Sequence, residues 1–286
     1  MQRILIQLDT DALPSVFDRV VAVDAGADQI FSYGGITPEN VEGLVHGAIF
    51  TRKPSDLKNT AIFVGGSNVA AGEAVFKKVR KSFYGPMQVS VMMDSNGSNT
   101  TASAAVLAAA KHLDLSKTTA VVLGGTGPVG CRAAQLLLGA GATVRLGSRS
   151  LEKSQATAGL LSAAVDTTLL QPVQVAGSSD LQKVCLGAEL IIAAGAAGVE
   201  LLPEESWRQL AGLHVLIDLN AVPPVGVGGV EIMDKATERH DVLCYGAIGV
   251  GGSKMKIHAA AIRKLFEAND QKLDTAAIYE IGRSLG

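Results

Sequence analysis

The sequence predicts an α/β protein of two domains, each built on a parallel sheet. Three observations carry this expectation. Strand-like apolar runs alternate with helix-like segments in two successive series, as parallel strands joined by crossover helices do. Glycine is abundant, at 32 residues, and aromatics make up only 4%; such a composition suits buried parallel strands with tight turns at their ends. The length of 286 residues exceeds one small domain and fits two of roughly 100–150 residues.

The first series fills the first hundred residues. Residues 4–8 form a short apolar run that ends at Asp9-Thr10-Asp11. Val16, Phe17, Val20 and Val21 recur at helical spacing within 15–25. A strand at 29–33 is closed by Gly34-Gly35, and Thr37-Pro38-Glu39 reads as a helix start: a hydroxyl cap, a proline in the first turn and an acid near the positive helix end. A strand at 61–64 stops at Gly65-Gly66; a helix over 69–83 and a strand over 87–93 follow. Next comes Asp94-Ser95-Asn96-Gly97-Ser98-Asn99-Thr100-Thr101, then an alanine-rich helix at 102–113. Asn99 or Thr100 would cap that helix. Eight small polar residues exceed what a cap needs, and a loop after a parallel strand is where α/β folds place ligands.

The second series has strands at 119–123, 143–146, 189–193, 215–219 and 242–245, with helices at about 128–140, 151–163 and 203–211. Helices over 253–266 and about 274–284 end the chain. They are expected to return to the first domain, giving 1–100 plus 253–286 as one domain and 101–252 as the other, with a cleft between them.

The strongest local motif is Gly125-Thr126-Gly127-Pro128-Val129-Gly130, which fits G-x-G-x-x-G. It follows a strand and opens a helix, the context a Rossmann-type dinucleotide site requires. The glycines make the tight turn, admit a pyrophosphate and allow close helix packing, while free N–H groups meet the negative charge. An NAD-preferring site usually ends its second strand with a carboxylate for the ribose 2′-hydroxyl. Here the strand runs into Gly147-Ser148-Arg149-Ser150, and Glu152 comes only later. A hydroxyl and a guanidinium suit a 2′-phosphate, with Lys153 assisting, so NADP is favoured and NAD remains possible. The bland alternative is that Arg149 is a solvated loop residue. Ala194 and Gly195 offer small groups where the nicotinamide ribose passes, and Asn220 is a candidate partner for its carboxamide. Asp218 reads equally as functional or structural.

Other classes are disfavoured. The formal net charge of −2 gives no basic excess for nucleic acid. Three widely spaced cysteines and five dispersed histidines support neither a disulfide framework nor a metal site. No apolar run approaches the roughly 20 residues of a membrane span, and the first residues do not read as a secretory signal. A cytoplasmic protein is expected. The charged fraction of 18% is compatible with buried subunit contacts.

Several strings together resemble the bacterial NADP-dependent methylene-tetrahydromethanopterin/methylene-tetrahydrofolate dehydrogenases of C1-oxidising bacteria. They are Asp9-Thr10-Asp11, Pro14-Ser15-Val16-Phe17-Asp18, Ala61-Ile62-Phe63-Val64-Gly65-Gly66, the 94–101 string, the glycine fingerprint, Asn220-Ala221-Val222-Pro223-Pro224, and Gly249-Val250-Gly251-Gly252-Ser253-Lys254-Met255-Lys256. The resemblance runs nearly end to end. It implies a cytoplasmic homo-oligomer in one-carbon (formaldehyde) oxidation, with a reduced pterin bound between its domains and hydride passed reversibly from the methylene bridge to NADP. No Tyr-x-x-x-Lys helix stands in the first domain, so cyclohydrolase activity is not expected. The five histidines are expected to serve surface or packing, His258 alone lying near a proposed site.

With the resemblance, Lys254 and Lys256 become the catalytic candidates, Lys256 favoured, although a solvated lysine pair beside an apolar helix face would look the same. Ser15, Phe17 and Asp18 are expected to border the pterin; Phe17 offers a stacking face or a core contact. Asp94, Asn96, Ser98, Asn99 and Thr100 are expected to bond its ring edge. No metal is expected. Two other readings stay open: an NADP oxidoreductase like the shikimate or amino-acid dehydrogenases, for which Lys53 with Asp94 is the nearest Lys–Asp pair, and a non-catalytic NADP sensor.

Overall fold

A computed structural model describes residues 1–286. The chain divides into two compact units, Met1–Thr100 with Met255–Gly286, and Thr101–Lys254.

The first unit begins β1 (Ile4–Asp9), α1 (Val16–Asp24), β2 (Gln29–Tyr33), α2 (Glu42–Phe50), β3 (Thr60–Gly65), α3 (Val69–Lys81) and β4 (Ser90–Met93). β3 is buried along its whole length, as a strand covered on both faces must be. Ile6, Leu8, Ile62, Val64, Val91 and Met93 project to one face, where they pack with Val45 and Ile49 of α2 and Val75 and Val79 of α3. Helix ends are chemically matched: Ser15 accepts from the Asp18 N–H and Asn68 from that of Ala71, and Lys78, Arg80 and Lys81 occupy the last turn of α3.

Among these elements two starts shift by three residues or more from the sequence expectation. Helix α2 starts at Glu42, because Asn40 closes Thr37–Asn40 into a separate turn, its side chain accepting from the Thr37 N–H at 2.8 Å. Strand β4 starts at Ser90, because Tyr84 and Met87 bond to one another across the Gly85-Pro86 turn.

α4 (Ser98–Ala110) leads into the second unit: β5 (Thr119–Leu123), α5 (Pro128–Gly139), β6 (Thr143–Ser148), α6 (Leu151–Leu161), β7 (Leu170–Gln174), α7 (Ser178–Cys185), β8 (Leu190–Ala193), α8 (Glu204–Trp207), β9 (Val215–Asp218), β10 (Lys235–Arg239) and β11 (Val242–Tyr245). The sheet order is β10-β11-β9-β8-β5-β6-β7, and only β10 runs antiparallel. Outward from β5 this is the doubly wound order, which reverses between β5 and β8. Strands β7 and β10 escaped the sequence reading. Both are edge strands, the first carrying Pro172 and the second mostly polar, so neither shows a buried strand's pattern.

The chain returns through α9 (Ala247–Leu265), β12 (Lys272–Leu273) and α10 (Thr275–Arg283). β12 adds to β4, completing a parallel sheet of order β12-β4-β3-β1-β2 in the first unit. α9 begins six residues before the expected start at 253. Glycines at and just before its start permit close approach: a Cβ on Gly249 would lie 1.8 Å from the Asp234 carbonyl oxygen, and one on Gly246 2.0 Å from that of Glu231. The glycine-rich stretch before the lysines is helix rather than loop. No helix is long and apolar enough to cross a membrane.

Candidate functional site

In the second unit, β5 runs into Gly124, whose φ of +69° turns the chain. This turn glycine stands one residue ahead of the fingerprint. Gly125 packs on β6, where a Cβ would lie 2.4 Å from Leu146 Cδ1; a Cβ on Gly130 would lie 2.5 Å from the Gly124 carbonyl oxygen. Gly127 caps α5 without any side-chain bond, and exposed Pro128 takes the first helical position. The leading N–H groups of α5, flanked by half-buried Thr126 and Val129, are therefore oriented for a phosphate. Across the switch point lie Ala194 and Gly195; a Cβ on Gly124 would meet the Ala194 carbonyl at 2.8 Å.

At the end of β6, Ser148 is buried and its hydroxyl accepts from the Ser150 N–H at 3.3 Å. Ser150 caps α6, accepting from the Lys153 N–H at 3.2 Å. Its oxygen is engaged in that cap, and Arg149 and Lys153 are exposed cations, with Glu152 exposed beside them. Gln174 donates to the Arg149 carbonyl at 3.2 Å and holds this corner; the sequence reading missed it because β7 was not seen. Asn220 is tied into the loop after β9. Its amide nitrogen donates to the Pro224 carbonyl and its oxygen accepts from the Val222 N–H, so the side chain braces its own loop. Asp218 accepts from the N–H groups of Asn220 and Val227, both at 3.0 Å. Burial pushes its carboxyl pKa up, and its surroundings are those of a structural group.

In the first unit, polar groups gather at the ends of β1, β3 and β4. Asp9 is buried and accepts from the N–H groups of Asp11 (2.9 Å) and Ser15 (3.0 Å). A Cβ on Gly65 would lie 3.1 Å from Phe63, 3.2 Å from Asp9 Oδ2 and 3.6 Å from Asp18 Oδ2. Both carboxylates and the Phe63 ring thus converge on a place where only glycine fits without displacement. Ser15 serves as the α1 cap, Asp18 is half-buried and Phe17 is 48% exposed; Phe17 is no core residue.

The string 94–101 is mostly turned inward. Asp94 accepts from the N–H groups of Asn99 and Thr100 and from the Thr100 hydroxyl. Asn99 donates to the Met93 carbonyl at 2.7 Å and accepts from the Thr275 hydroxyl at 2.8 Å, while Ser98 donates to the Ser95 carbonyl at 2.8 Å. Asp94, Ser98, Asn99 and Thr100 are buried. Within the chain these four side chains fasten the start of α4. The sequence alone does not show which way these polar side chains face. Asn96 differs. It is exposed, held in the left-handed region (φ 54°, ψ 22°), and its N–H donates to the Gly66 carbonyl at 2.7 Å; asparagine tolerates this conformation better than most residues. The alternative pair also fails to form, since Lys53 meets Asp56 at 3.7 Å and Asp94 is engaged as described.

Both candidate lysines lie within α9. Lys254 and His258, four residues apart, share one helix face. His258 is buried; its ring stacks on Phe63 at 5.7 Å and 16° and sits 6.2 Å from the Phe17 ring. Lys256 projects elsewhere, into an open hollow of about 480 Å³ with Val21, Asp24, Met255, Ala259, Arg263 and Leu285. Lys254, not the favoured Lys256, shares the His258 face. No group of three or more His, Cys, Asp or Glu side chains is placed to hold a metal ion. All three cysteines are free.

A doubly wound sheet with a glycine turn at its switch point, joined to a smaller parallel-sheet unit, is the architecture of the two-domain NAD(P)-dependent dehydrogenases. The fold is similar to shikimate 5-dehydrogenase from Listeria monocytogenes in complex with shikimate and NAD (TM-score 0.56, 13% identity, 98% of this chain and 96% of that one). It is likewise similar to quinate dehydrogenase from Corynebacterium glutamicum in complex with NAD (TM-score 0.51, 16% identity, 99% of both chains). At such identities the likeness concerns the fold alone. Sequence relationships go further. Residues 16–96 match the family described as methylene-tetrahydromethanopterin dehydrogenase, N-terminal. The bifunctional protein MdtA of Methylorubrum extorquens is 45% identical over 288 residues, covering 99% of each chain. The NAD(P)-dependent methylenetetrahydromethanopterin dehydrogenase of the same organism is 32% identical over 272 residues, covering 90% of this chain and 89% of that one. The chain belongs to the methylenetetrahydromethanopterin dehydrogenase family.

Proposed function

We propose that the protein oxidises the methylene bridge of a reduced pterin, methylenetetrahydromethanopterin or methylenetetrahydrofolate, to the methenyl form and passes hydride reversibly to NADP. The observation that carries this reading is the family match over 16–96, the stretch that presents Phe17 and Asn96. The first unit holds the pterin in this reading and the second holds the dinucleotide.

NADP supplies the hydride acceptor. The open N–H groups of α5 would hold its pyrophosphate, and Ser148, Arg149 and Lys153 its 2′-phosphate. Departure of hydride leaves a cation shared over an N–C–N unit, so no strong base is needed. The chain must orient two rings and exclude water. Phe17 offers a face to the pterin, and Asn96 and Lys254 hydrogen bonds to its edge. Self-association fits the exposed apolar stripe Val16, Val20 and Val23 on α1, and a cytoplasmic site fits three free cysteines.

Crossing each methylene pterin with NAD and NADP, and following absorbance of the methenyl product and reduced nicotinamide, tests the reading. Methenyl formation faster with NADP is expected. NADP binding without turnover of any pterin would leave a sensor.

A further inference from the structure

We propose that His258 is a positioning residue for the pterin ring, acting through Phe17; the inference rests on the function proposed above. A histidine buried to 1% exposure is a costly way to fill space, because its ring nitrogens need polar partners where a leucine needs none. What the imidazole adds over leucine is a flat, rigid face.

That face is used. Phe63 lies in the fully buried strand β3, its ring against Gly65 where a side chain would crowd it. His258 stacks on Phe63 with planes only 16° apart. Phe17 in turn leans on His258 at 6.2 Å and 41°, within the distance range of aromatic pairs. Three rings thus step from the sheet to the surface, and only the outermost is substantially exposed.

The backbone under Phe17 is fixed as well. Phe17 is the second residue of α1, two residues after the Ser15 cap, and the Ser15 N–H is tied to Asp9. With backbone and ring both constrained, the exposed face of Phe17 is oriented before a ligand arrives. A fused, planar heteroaromatic ring is the chemistry that such a face recognises, by stacking. His258 sets the tilt of that face without touching the ligand itself.

The test compares wild type, His258→Leu and His258→Phe in steady-state turnover and thermal unfolding. Loss of the flat spacer in His258→Leu is expected to raise KM for the methylene pterin about 5–20-fold, the scale of a weakened ring stack. KM for NADP should stay within about twofold, since the three rings belong to the first unit and the dinucleotide turn to the second. His258→Phe, which keeps an aromatic layer, should recover most of the pterin affinity. Phe63→Leu approaches the ladder from its other end and should give the same split, which keeps the test open if His258→Phe folds poorly. An unchanged pterin KM in His258→Leu, or pterin and NADP constants rising together with a lowered Tm, would overturn the positioning role. Wild type inactive with every methylene pterin would instead sink the underlying function.

Discussion

Thr100 donates twice to Asp94, from its N–H at 3.1 Å and from its hydroxyl at 2.6 Å. With the Asn99 N–H at 2.8 Å, the carboxylate closes the start of α4 and fixes the loop that exposes Asn96. Replacing Asp94 by Ala removes every one of these bonds in a buried place. A loss of about 2–4 kcal/mol is expected in denaturant unfolding, and Thr100→Val should cost about 1–2 kcal/mol. A stability change under 0.5 kcal/mol for Asp94→Ala would contradict the structural role.

Arg149 offers its guanidinium at the end of β6, with no carboxylate beside it in the loop. Arg149→Ala is expected to lower kcat/KM for NADP about 10–100-fold and leave NAD nearly unchanged, since a charge-assisted bond contributes about 1.5–3 kcal/mol. An unaltered NADP/NAD ratio would remove Arg149 from the site.

Gly130 faces the Gly124 carbonyl so closely that an added Cβ would stand 2.5 Å from it. Gly130→Ala must push α5 away from the turn and spoil the phosphate cradle. We expect NADP affinity to fall at least tenfold by titration, with the first unit's fold intact by circular dichroism.

Lys254 shares a helix face with His258, whereas Lys256 lines the hollow beside Asp24 and Arg263. Lys254→Met should depress pterin turnover at least tenfold more than Lys256→Met. The opposite order would restore Lys256 as the functional lysine.

Cys185 and Cys244 are buried, and burial pushes their thiols up to about 11 and about 12. Alkylation near pH 8 should therefore spare both in the native protein and modify them on unfolding. The unfolded thiols ionise near 9.0, earlier than the native ones. The unfolded state then binds fewer protons, so stability should fall as pH rises from about 9 towards 12. Rapid native labelling of either residue would contradict this burial.

The central strands, the dinucleotide turn and the return of the last helices were legible because burial on both faces and glycine spacing leave marks in sequence. Edge strands β7 and β10 were not, since a half-exposed strand needs neither pattern. Asp94, Ser98, Asn99 and Thr100 show the limit most clearly. Their composition suits a helix start and a ligand loop equally, and only the partners of each oxygen separate the two. Along α9, the spacing of Lys254, Lys256 and His258 already implied two faces, but the glycines before them hid how early the helix begins.

The most direct test of the proposed reaction follows the hydrogen itself. A methylene pterin deuterated at its bridge is incubated with the protein and NADP, and the reduced dinucleotide is analysed by mass spectrometry and proton NMR. Deuterium at nicotinamide C4, matched to methenyl pterin formed, is the expected result. Reduced NADP without the label, or no reduction with either pterin, would contradict hydride transfer from the one-carbon bridge.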